Sequence, residues 1–341
     1  MRALISRARV RVLDRVSAFR RPLDPAAEVD AIAVVAERLA VLLSAGVSAS
    51  AAWGHVGERS DAPDPARHER GARHADRVVL AAAASAAADG GSVSGAIDST
   101  RADEPEASAQ WSVLAAAWAV AAESGAPLAA SLRDLAAALR DEAQLRREVR
   151  TALAGPVASA RLVMSLPLLA VVFGAVLGFD TFSVLFGNPL GVACVIVGGL
   201  LLWLGRRWSV ALATRAARSR SDAGLELELL AIAMSSGASV ERARGVVRDA
   251  LRSSGVARSD DGAPDAVIAL AARAGAPISE LLRAEAFRLR RVARAEGAVR
   301  AAALGVSLML PLGACVLPAF VLLGVVPLLV SVVSGTLGGA V

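Results

Sequence analysis

The chain has 341 residues, of which 55% are apolar and 20% are charged, and its mean hydropathy is +0.53. This composition favours a membrane protein and excludes a chain that is disordered throughout, because so much apolar surface has to be buried. Two cysteines are too few for a disulfide scaffold, and the net charge of +5 is interpreted as arginines beside membrane spans rather than as a nucleic-acid surface.

The first segment, residues 1–23, is basic. Residues 1–21 contain seven arginines and no continuous apolar run, so they are not typical of a signal peptide. Four apolar residues share one helical face, which fits a basic amphipathic helix on the inner leaflet of a membrane: Ile5, Val12, Val16 and Phe19. A basic tail without such a helix is the alternative.

Residues 24–160 are predicted to form a first cytoplasmic helical domain. Asp24-Pro25 indicates a helix start, Gly46 ends that helix, and a second helix is expected near Ser48. The other expected elements are helices near 73–88, 107–124 and 127–154, a loop at 57–72, and a break or kink at Gly155-Pro156. No alternating run of β-branched residues occurs, so the domain is expected to be all helical.

Two stretches that are poor in charge are predicted to cross the membrane. Residues 161–205 contain the turn signal Gly187-Asn188-Pro189 and are interpreted as a transmembrane hairpin with spans at about 161–179 and 188–205. Residues 301–341 carry no charge. Their prolines and Gly-rich end favour one kinked span of about 303–326 and a short tail, with two spans as the alternative.

Arginines flank each predicted span on one side only. They lie before the first span, after the second and before the third, whereas the hairpin loop and the C-terminal tail have none. By the positive-inside rule, the N-terminus and residues 206–300 are cytoplasmic. The chain is therefore predicted to be a multi-pass protein of the plasma or inner membrane.

Residues 206–300 are predicted to form a second cytoplasmic domain, which is a shortened repeat of the first. Several short matches occur in the same order in both: the segments around Gly46 and Gly237, Gly125-Ala126-Pro127 and Gly275-Ala276-Pro277, and Leu145-Arg146-Arg147 and Leu289-Arg290-Arg291. Matches in order, each followed by a span, indicate duplication. The predicted fold class is an all-α membrane protein with two cytoplasmic helical bundles, the second shortened, and about three transmembrane helices.

This arrangement resembles the type II secretion system F domain family, the inner-membrane platform proteins of type IV pili, Tad/Flp pili and type II secretion. The resemblance is carried by Leu42-Leu43-Ser44-Ala45-Gly46-Val47 and by Ala122-Glu123-Ser124-Gly125-Ala126-Pro127-Leu128. The second segment is similar to the family's Gly-Glu-x-Gly-x-Leu, with Ala122 in place of its first Gly. In the second copy Arg273 replaces the acid. The shortened copy is most similar to the Tad-type branch or to spore- and pilus-associated relatives in Gram-positive cells.

The resemblance implies a mechanical role without chemistry. Such a platform protein lies at the base of the pilus, contacts a hexameric cytoplasmic secretion ATPase, and helps to insert pilin or pseudopilin subunits into the fibre. A homo-oligomer, or a hetero-oligomer with a related platform protein, is expected, and membrane lipids are a further partner. The candidate residues for partner contact or packing are Gly46, Glu123, Gly125, Pro127, Gly237, Gly275, Pro277, Arg146, Arg147, Arg290 and Arg291.

No motif in the sequence points to catalysis, a cofactor or a metal. The chain has no lysine, so a standard P-loop is impossible and the chain is not expected to be the motor. His68 and His74 lack the helical spacing of a zinc site. The chain is therefore expected not to be an enzyme and to need no cofactor.

Two other classes of function make different demands on the sequence. A permease or transporter subunit, which is the alternative function, predicts substrate-binding charges within the spans, and the predicted spans have none. A membrane-anchored enzyme predicts a converging acid–base or metal site. The platform protein is the interpretation that these patterns favour.

Overall fold

A computed structural model of the protein describes residues 24–60, 72–176, 189–217, 224–256, 262–327 and 329. Within these residues all regular structure is helical, which confirms the all-α prediction. They fall into two compact units. The first unit contains the described residues up to 143 and those from 224 to 286, and the second contains the rest. The predicted basic segment and the end of the predicted tail lie outside the described residues.

Five helices of the first unit come from the N-terminal part of the chain: α1 Pro25–Ser44, α2 Ala49–Ser60, α3 Ala72–Ala88, α4 Val93–Asp103 and α5 Gln110–Ser124. α1 begins where it was predicted, because the Asp24 carboxylate accepts a hydrogen bond from the Ala26 N–H at 3.1 Å and Pro25 follows the cap. α4 has no counterpart among the predicted helices. Only Val93 and Ile97 of it are buried, so its apolar periodicity is weak.

The remaining long elements are α6 Leu128–Val176, α7 Pro189–Ala217, α8 Leu225–Met234, α9 Val240–Ser253, α10 Ala263–Ala274 and α11 Ile278–Ser307. α6 runs without interruption through Gly155-Pro156, so the helix does not break there, and the alternative of a kink stays a prediction. A long helix tolerates proline where neighbouring groups satisfy the freed carbonyl. The unit boundaries at 143/144 and 286/287 fall within α6 and α11.

α5 is the central helix of the first unit. It packs against α1, α4, α8 and α9, and almost every residue from Gln110 to Ala121 is buried. Trp53 of α2 meets Trp118 of α5 edge to face, with ring centroids 5.4 Å apart, a favourable geometry for an aromatic pair. The apolar residues of α5 are needed on every side, because helices from both parts of the chain cover it.

Residues of both predicted cytoplasmic domains therefore contribute to one unit. α8 and α9, from residues 206–300, pack on α5, from residues 24–160. The predicted segments 1–23, 24–160, 161–205, 206–300 and 301–341 follow changes of charge along the chain, whereas the units follow packing. The predicted domain boundaries stay a prediction about the order of segments in the chain.

Among the described residues, two helices are long and apolar enough to cross a membrane. One is α7 over Gly191–Arg215, which overlaps the span predicted at 188–205. The other is α11 with its continuation, over Ile278–Val325, which includes most of the span predicted at 303–326. The span predicted at 161–179 extends past the end of α6, outside the described residues, and stays a prediction.

The continuation of α11 is irregular. After Leu308 the chain forms a helical turn, a π-helical segment at Leu312–Val316, a short α-helix at Leu317–Phe320 and a second π-helical segment at Val321–Val325. The Leu317 N–H donates to the Leu312 carbonyl, five residues back. Proline has no N–H and its ring crowds the preceding turn, so wide turns beside Pro311 and Pro318 relieve both effects.

Candidate functional site

Four of the candidate residues are glycines that end helices of the first unit. Gly46, Gly125, Gly237 and Gly275 have φ values of 85°, 73°, 82° and 62°, in the left-handed region where other residues are strained. All four are exposed, and a Cβ at any of them would meet no atom within 4 Å. Their requirement for glycine therefore comes from the backbone alone and not from a close neighbour.

The turns at Gly125 and Gly275 have the same hydrogen bonds. The Ala126 N–H donates to the Ala121 carbonyl at 3.0 Å, and the Ala276 N–H donates to the Ala271 carbonyl at 3.2 Å. In each copy an exposed proline follows, Pro127 or Pro277, and its carbonyl accepts the first backbone bond of the next helix at 3.0 or 3.3 Å. The two short sequence matches thus correspond to one backbone geometry.

The turns at Gly46 and Gly237 also correspond. Ser48 accepts a hydrogen bond from the Ala51 N–H at 3.3 Å, and Ser239 accepts one from the Arg242 N–H at 3.4 Å, so each serine caps the helix that follows. The side chains that precede the turns agree as well, since the Ser44 and Ser235 hydroxyls each donate to the carbonyl three residues back. This equivalence in backbone and capping supports the predicted internal repeat.

Glu123 lies at the C-terminal end of α5, two residues before Gly125, and is exposed. Ala122 beside it is exposed as well, whereas almost every earlier residue of the helix is buried, so the central helix of the first unit reaches solvent at Ala122 and Glu123. Gly125, Pro127 and Glu123 therefore share one exposed turn. The structure brings these three together by their sequence proximity, and their role in contacting a partner stays a prediction.

The four candidate arginines lie in the second unit, on α6 and α11. Arg147 and Arg291 are exposed, whereas Arg146 and Arg290 are half-buried. The Arg147 Nε donates to the Gln144 Oε1 at 3.2 Å, and the Arg291 guanidinium lies 5.9 Å from the centre of the Phe287 ring. These contacts hold the side chains along their own helices and leave the charges at the surface.

A nearby ion pair, which the sequence analysis did not single out, joins the two helices that carry these arginines. Arg294 of α11 donates through Nε and Nη2 to both carboxylate oxygens of Glu148 of α6, each at 3.1 Å. Both side chains are more than a third exposed, so the pair orients the helices more than it stabilises them. Its two residues are 146 apart in the chain, and no local pattern predicts such a pair.

Two half-buried carboxylates of the first unit were also missed. Asp76 of α3 accepts hydrogen bonds from the Ser108 N–H at 2.9 Å and the Trp111 indole N–H at 2.8 Å. Burial raises the pKa of Asp76 above its ordinary value of 3.8, and the two hydrogen bonds oppose that rise. A carboxylate that anchors the start of α5 in this way supports structure and not chemistry.

Asp98 of α4 has a similar role between the two predicted copies of the repeat. It accepts a hydrogen bond from the hydroxyl of the buried Ser254 at 2.9 Å, and burial raises its pKa above the ordinary value. Asp98 and Ser254 are 156 residues apart. Within the described residues no three His, Cys, Asp or Glu side chains come together in a way that could hold a metal ion.

A belt of tryptophan and arginine marks one level of α7. Trp203, Arg206, Arg207 and Trp208 are all exposed, and the Arg207 guanidinium lies 5.5 Å from the centre of the Trp203 ring. Tryptophan and arginine at the end of an apolar helix are typical of the membrane–water interface. We call these four residues the interface belt.

Comparison with known proteins matches part of the chain to a protein family. Residues 35–175 match the family model described as type II secretion system (T2SS), protein F. The matched segment includes half of α1, all of α2 to α5 and almost all of α6, and so it contains Gly46, Glu123, Gly125, Pro127, Arg146 and Arg147. No curated protein and no solved structure matches the chain.

Proposed function

We propose that this chain, whose residues 35–175 are a type II secretion system protein F domain, is the membrane platform protein of a pilus-assembly or type II-like secretion machine. The family match is the observation that carries the proposal. Proteins of this family are structural membrane proteins and not enzymes. Two helices that can cross a membrane support the same role.

In the proposed arrangement the first unit faces the cytoplasm. The interface belt and the arginines before and after the predicted spans support an N-terminus on the cytoplasmic side of the inner membrane. The exposed turn of Glu123, Gly125 and Pro127 is then available to a cytoplasmic hexameric ATPase, and the spans are available to pilin or pseudopilin subunits and to lipids. A pilus of the Tad/Flp type is the proposed apparatus.

Purification of the tagged full-length chain from its native membrane, followed by quantitative mass spectrometry, tests the proposal. We expect a secretion-type hexameric ATPase and small pilin-like proteins to be recovered with it. Recovery of a solute-binding protein or a nucleotide-binding transport subunit instead would support a permease and contradict the platform role.

A charge reversal at the exposed end of α5 tests where the ATPase binds. We expect Glu123→Arg to reduce recovery of the ATPase several-fold, because it replaces an exposed acid at the proposed contact by a base. Asp103→Arg is the matched control, since Asp103 is also an exposed acid at a helix C-terminus in the first unit. Equal recovery of the ATPase with Glu123→Arg and Asp103→Arg would show that the ATPase contacts another part of the chain.

A further inference from the structure

Three helices of the second unit meet in an apolar cluster that fixes their relative heights. Leu153 of α6 packs with Leu304 and Leu308 of α11 and its continuation, and Leu212 and Ala213 of α7 pack against the same cluster. Arg206 and Arg207 lie about six residues before Leu212 and Ala213, towards the apolar end of α7. Six residues correspond to roughly 9 Å along the helix. The same distance is measured from the cluster along the continuation of α11, towards the C-terminus. The interface belt therefore lies level with a position about six residues beyond the cluster, near residue 312.

A second contact gives the same height. A Cβ placed on Gly205 would lie 3.0 Å from the Cβ of Cys315 and 3.7 Å from the Pro311 carbonyl oxygen. Residues 311–315 are thus beside the interface belt. The C-terminal span then begins near residue 312 and not near residue 303, so the part of α11 before Ser307 lies on the cytoplasmic side of the belt.

This part of α11 has an exposed apolar face. Val292, Val299 and Val306 are spaced by seven residues and are 42%, 69% and 70% exposed. Ala295, Ala302 and Met309 lie between and after them on the same face and are exposed too. We call these six residues the valine face. The opposite side of the helix is buried within the second unit, at Ala293, Gly297, Leu304 and Leu308.

Lipid does not account for most of the valine face. Val299 is about 13 residues before the level of the belt, or roughly 20 Å along the helix, whereas the headgroup region on one side of a bilayer is only about 5–8 Å thick. An apolar stripe of this length in water is typical of a surface that another protein segment covers.

We infer that the valine face binds the valine face of a second copy of the chain, as a parallel two-stranded coiled coil. With Val292, Val299 and Val306 at the a positions, Ala295, Ala302 and Met309 occupy the d positions, and β-branched a residues favour two strands. Arg291 then takes a g position and Glu296 the e position of the next heptad. These are the positions whose opposite charges pair between the strands of a parallel dimer.

The membrane supports this arrangement in two ways. All copies insert with the same orientation, so identical helices from two copies are parallel. Confinement to one bilayer also raises the effective concentration of the second copy, which lets an interface of about two and a half heptads suffice. The inference rests on the membrane placement in the proposed function, but not on the ATPase or on pilin.

Disulfide cross-linking of the full-length chain in its native membrane tests this interface. In a background that carries Cys194→Ala and Cys315→Ala, we expect Val292→Cys and Val299→Cys to form dimers after oxidation with copper phenanthroline. Ala298→Cys is the matched control: it is exposed, is one residue from Val299, and lies about 100° around the helix at a g position, where the two copies are farther apart than at an a position. We expect its dimer yield to be several-fold lower.

A charge exchange tests the register. We expect Glu296→Arg to lower the dimer yield of Val299→Cys, since the introduced arginine of one copy would face Arg291 of the other, and we expect a further Arg291→Glu to restore it. Equal dimer yields for Ala298→Cys and Val299→Cys would overturn the inference. So would a monomer in which Val299→Cys is shielded from a water-soluble maleimide, because another segment would then cover the face. Cross-linking without recovery of an ATPase would overturn only the proposed function.

Discussion

Two half-buried carboxyl side chains contribute to the way the stability of the first unit changes with pH. Asp76 and Asp98 both have pKa values that burial raises, and each accepts hydrogen bonds from distant residues. A carboxyl whose pKa is higher in the folded chain than in the unfolded chain binds more protons when folded. The free energy of unfolding therefore falls as the pH rises from the unfolded pKa through the folded pKa.

Asp76→Asn is expected to flatten this part of the pH dependence. The amide oxygen of the variant still accepts a bond from Ser108 or Trp111, but the side chain cannot ionise. Thermal unfolding of the full chain in detergent, measured from about pH 4 upward, is expected to show a smaller decline of Tm with pH than the parent chain. Asp103→Asn, at an exposed site, serves as the control. If Tm declined with pH in the same way in the parent chain and in Asp76→Asn, ionisation of Asp76 would not contribute to the pH dependence of stability.

Asp76→Ala is expected to destabilise the first unit at every pH. It leaves the indole N–H of Trp111, a residue only 1% exposed, without its acceptor, and it removes the partner of the Ser108 N–H. An unpaired buried donor costs about 1–3 kcal/mol. A Tm close to that of the Asn variant would show that water replaces the carboxylate.

Helix ends and helix packing depend on glycine for two different reasons. At the turns of the repeat, glycine is needed for a positive φ, and nothing approaches it. Along α7, glycine is needed for space: a Cβ on Gly198 would lie 2.6 Å from the Cγ of Leu323. The contacts of Gly198 with Leu323 and of Gly205 with Cys315 show that α7 and the C-terminal segment run antiparallel in close contact.

Gly125→Ala and Gly275→Ala are expected to lower stability by about 1–2 kcal/mol each, the cost of a left-handed conformation in a residue with a Cβ. Gly245→Ala is the control, because Gly245 lies inside α9 without a positive φ and with open space around it. For Gly245→Ala we expect the free energy of unfolding to stay the same or to rise by up to about 1 kcal/mol. The thermal unfolding of the three variants in detergent would be compared. A loss at Gly245 as large as at Gly125 would refute the conformational explanation.

Gly198→Ala is expected to destabilise the second unit by about 1–3 kcal/mol through overpacking against Leu323. Leu323→Ala removes the atoms that the new Cβ would meet, so the double variant is expected to lose less than the sum of the two single variants. Gly199→Ala, next to it in open space, is expected to be neutral. Resistance to heat-induced aggregation in detergent measures all four, and additive losses would argue against the contact.

Across the chain, the first unit depends on two segments that are separated by the predicted hairpin. Almost all of α5 is buried, and α8 and α9 supply part of its cover. Leu229 and Ile232 of α8 are completely buried in this contact region. Residues 24–143 without residues 224–286 would expose a large apolar surface, which soluble domains avoid.

Expressed alone, residues 24–143 are therefore expected to aggregate, and co-expression of residues 224–286 is expected to yield a soluble complex. Size-exclusion chromatography of the two preparations measures the difference. Residues 224–286 carrying Leu229→Asp are the control and are expected not to rescue, since a charge would enter the core. A soluble, monomeric 24–143 fragment would mean that this part of the chain folds as an independent domain.

Local signals in the sequence were sufficient for the helical class, the cap at Asp24, the glycine turns and two apolar segments that the structure shows as helices able to cross a membrane. Each of these depends on residues close together in the chain, through capping, backbone conformation or hydropathy. The helix α4 escaped prediction because its apolar periodicity is weak. Of the break or kink expected at Gly155-Pro156, the break is absent because α6 continues through it.

Only the tertiary structure decided which segments share a core. The contacts of Asp98 with Ser254, of Glu148 with Arg294 and of Gly198 with Leu323 each join residues more than 100 positions apart. No local pattern encodes such pairs, because their energies arise from burial and complementary shape after the chain has folded. The sequence by itself determined the all-helical class, two helices able to cross a membrane, and the glycine turns. Packing determined that α8 and α9 share the first unit with α1 to α5 and that the valine face stays exposed within one copy of the chain.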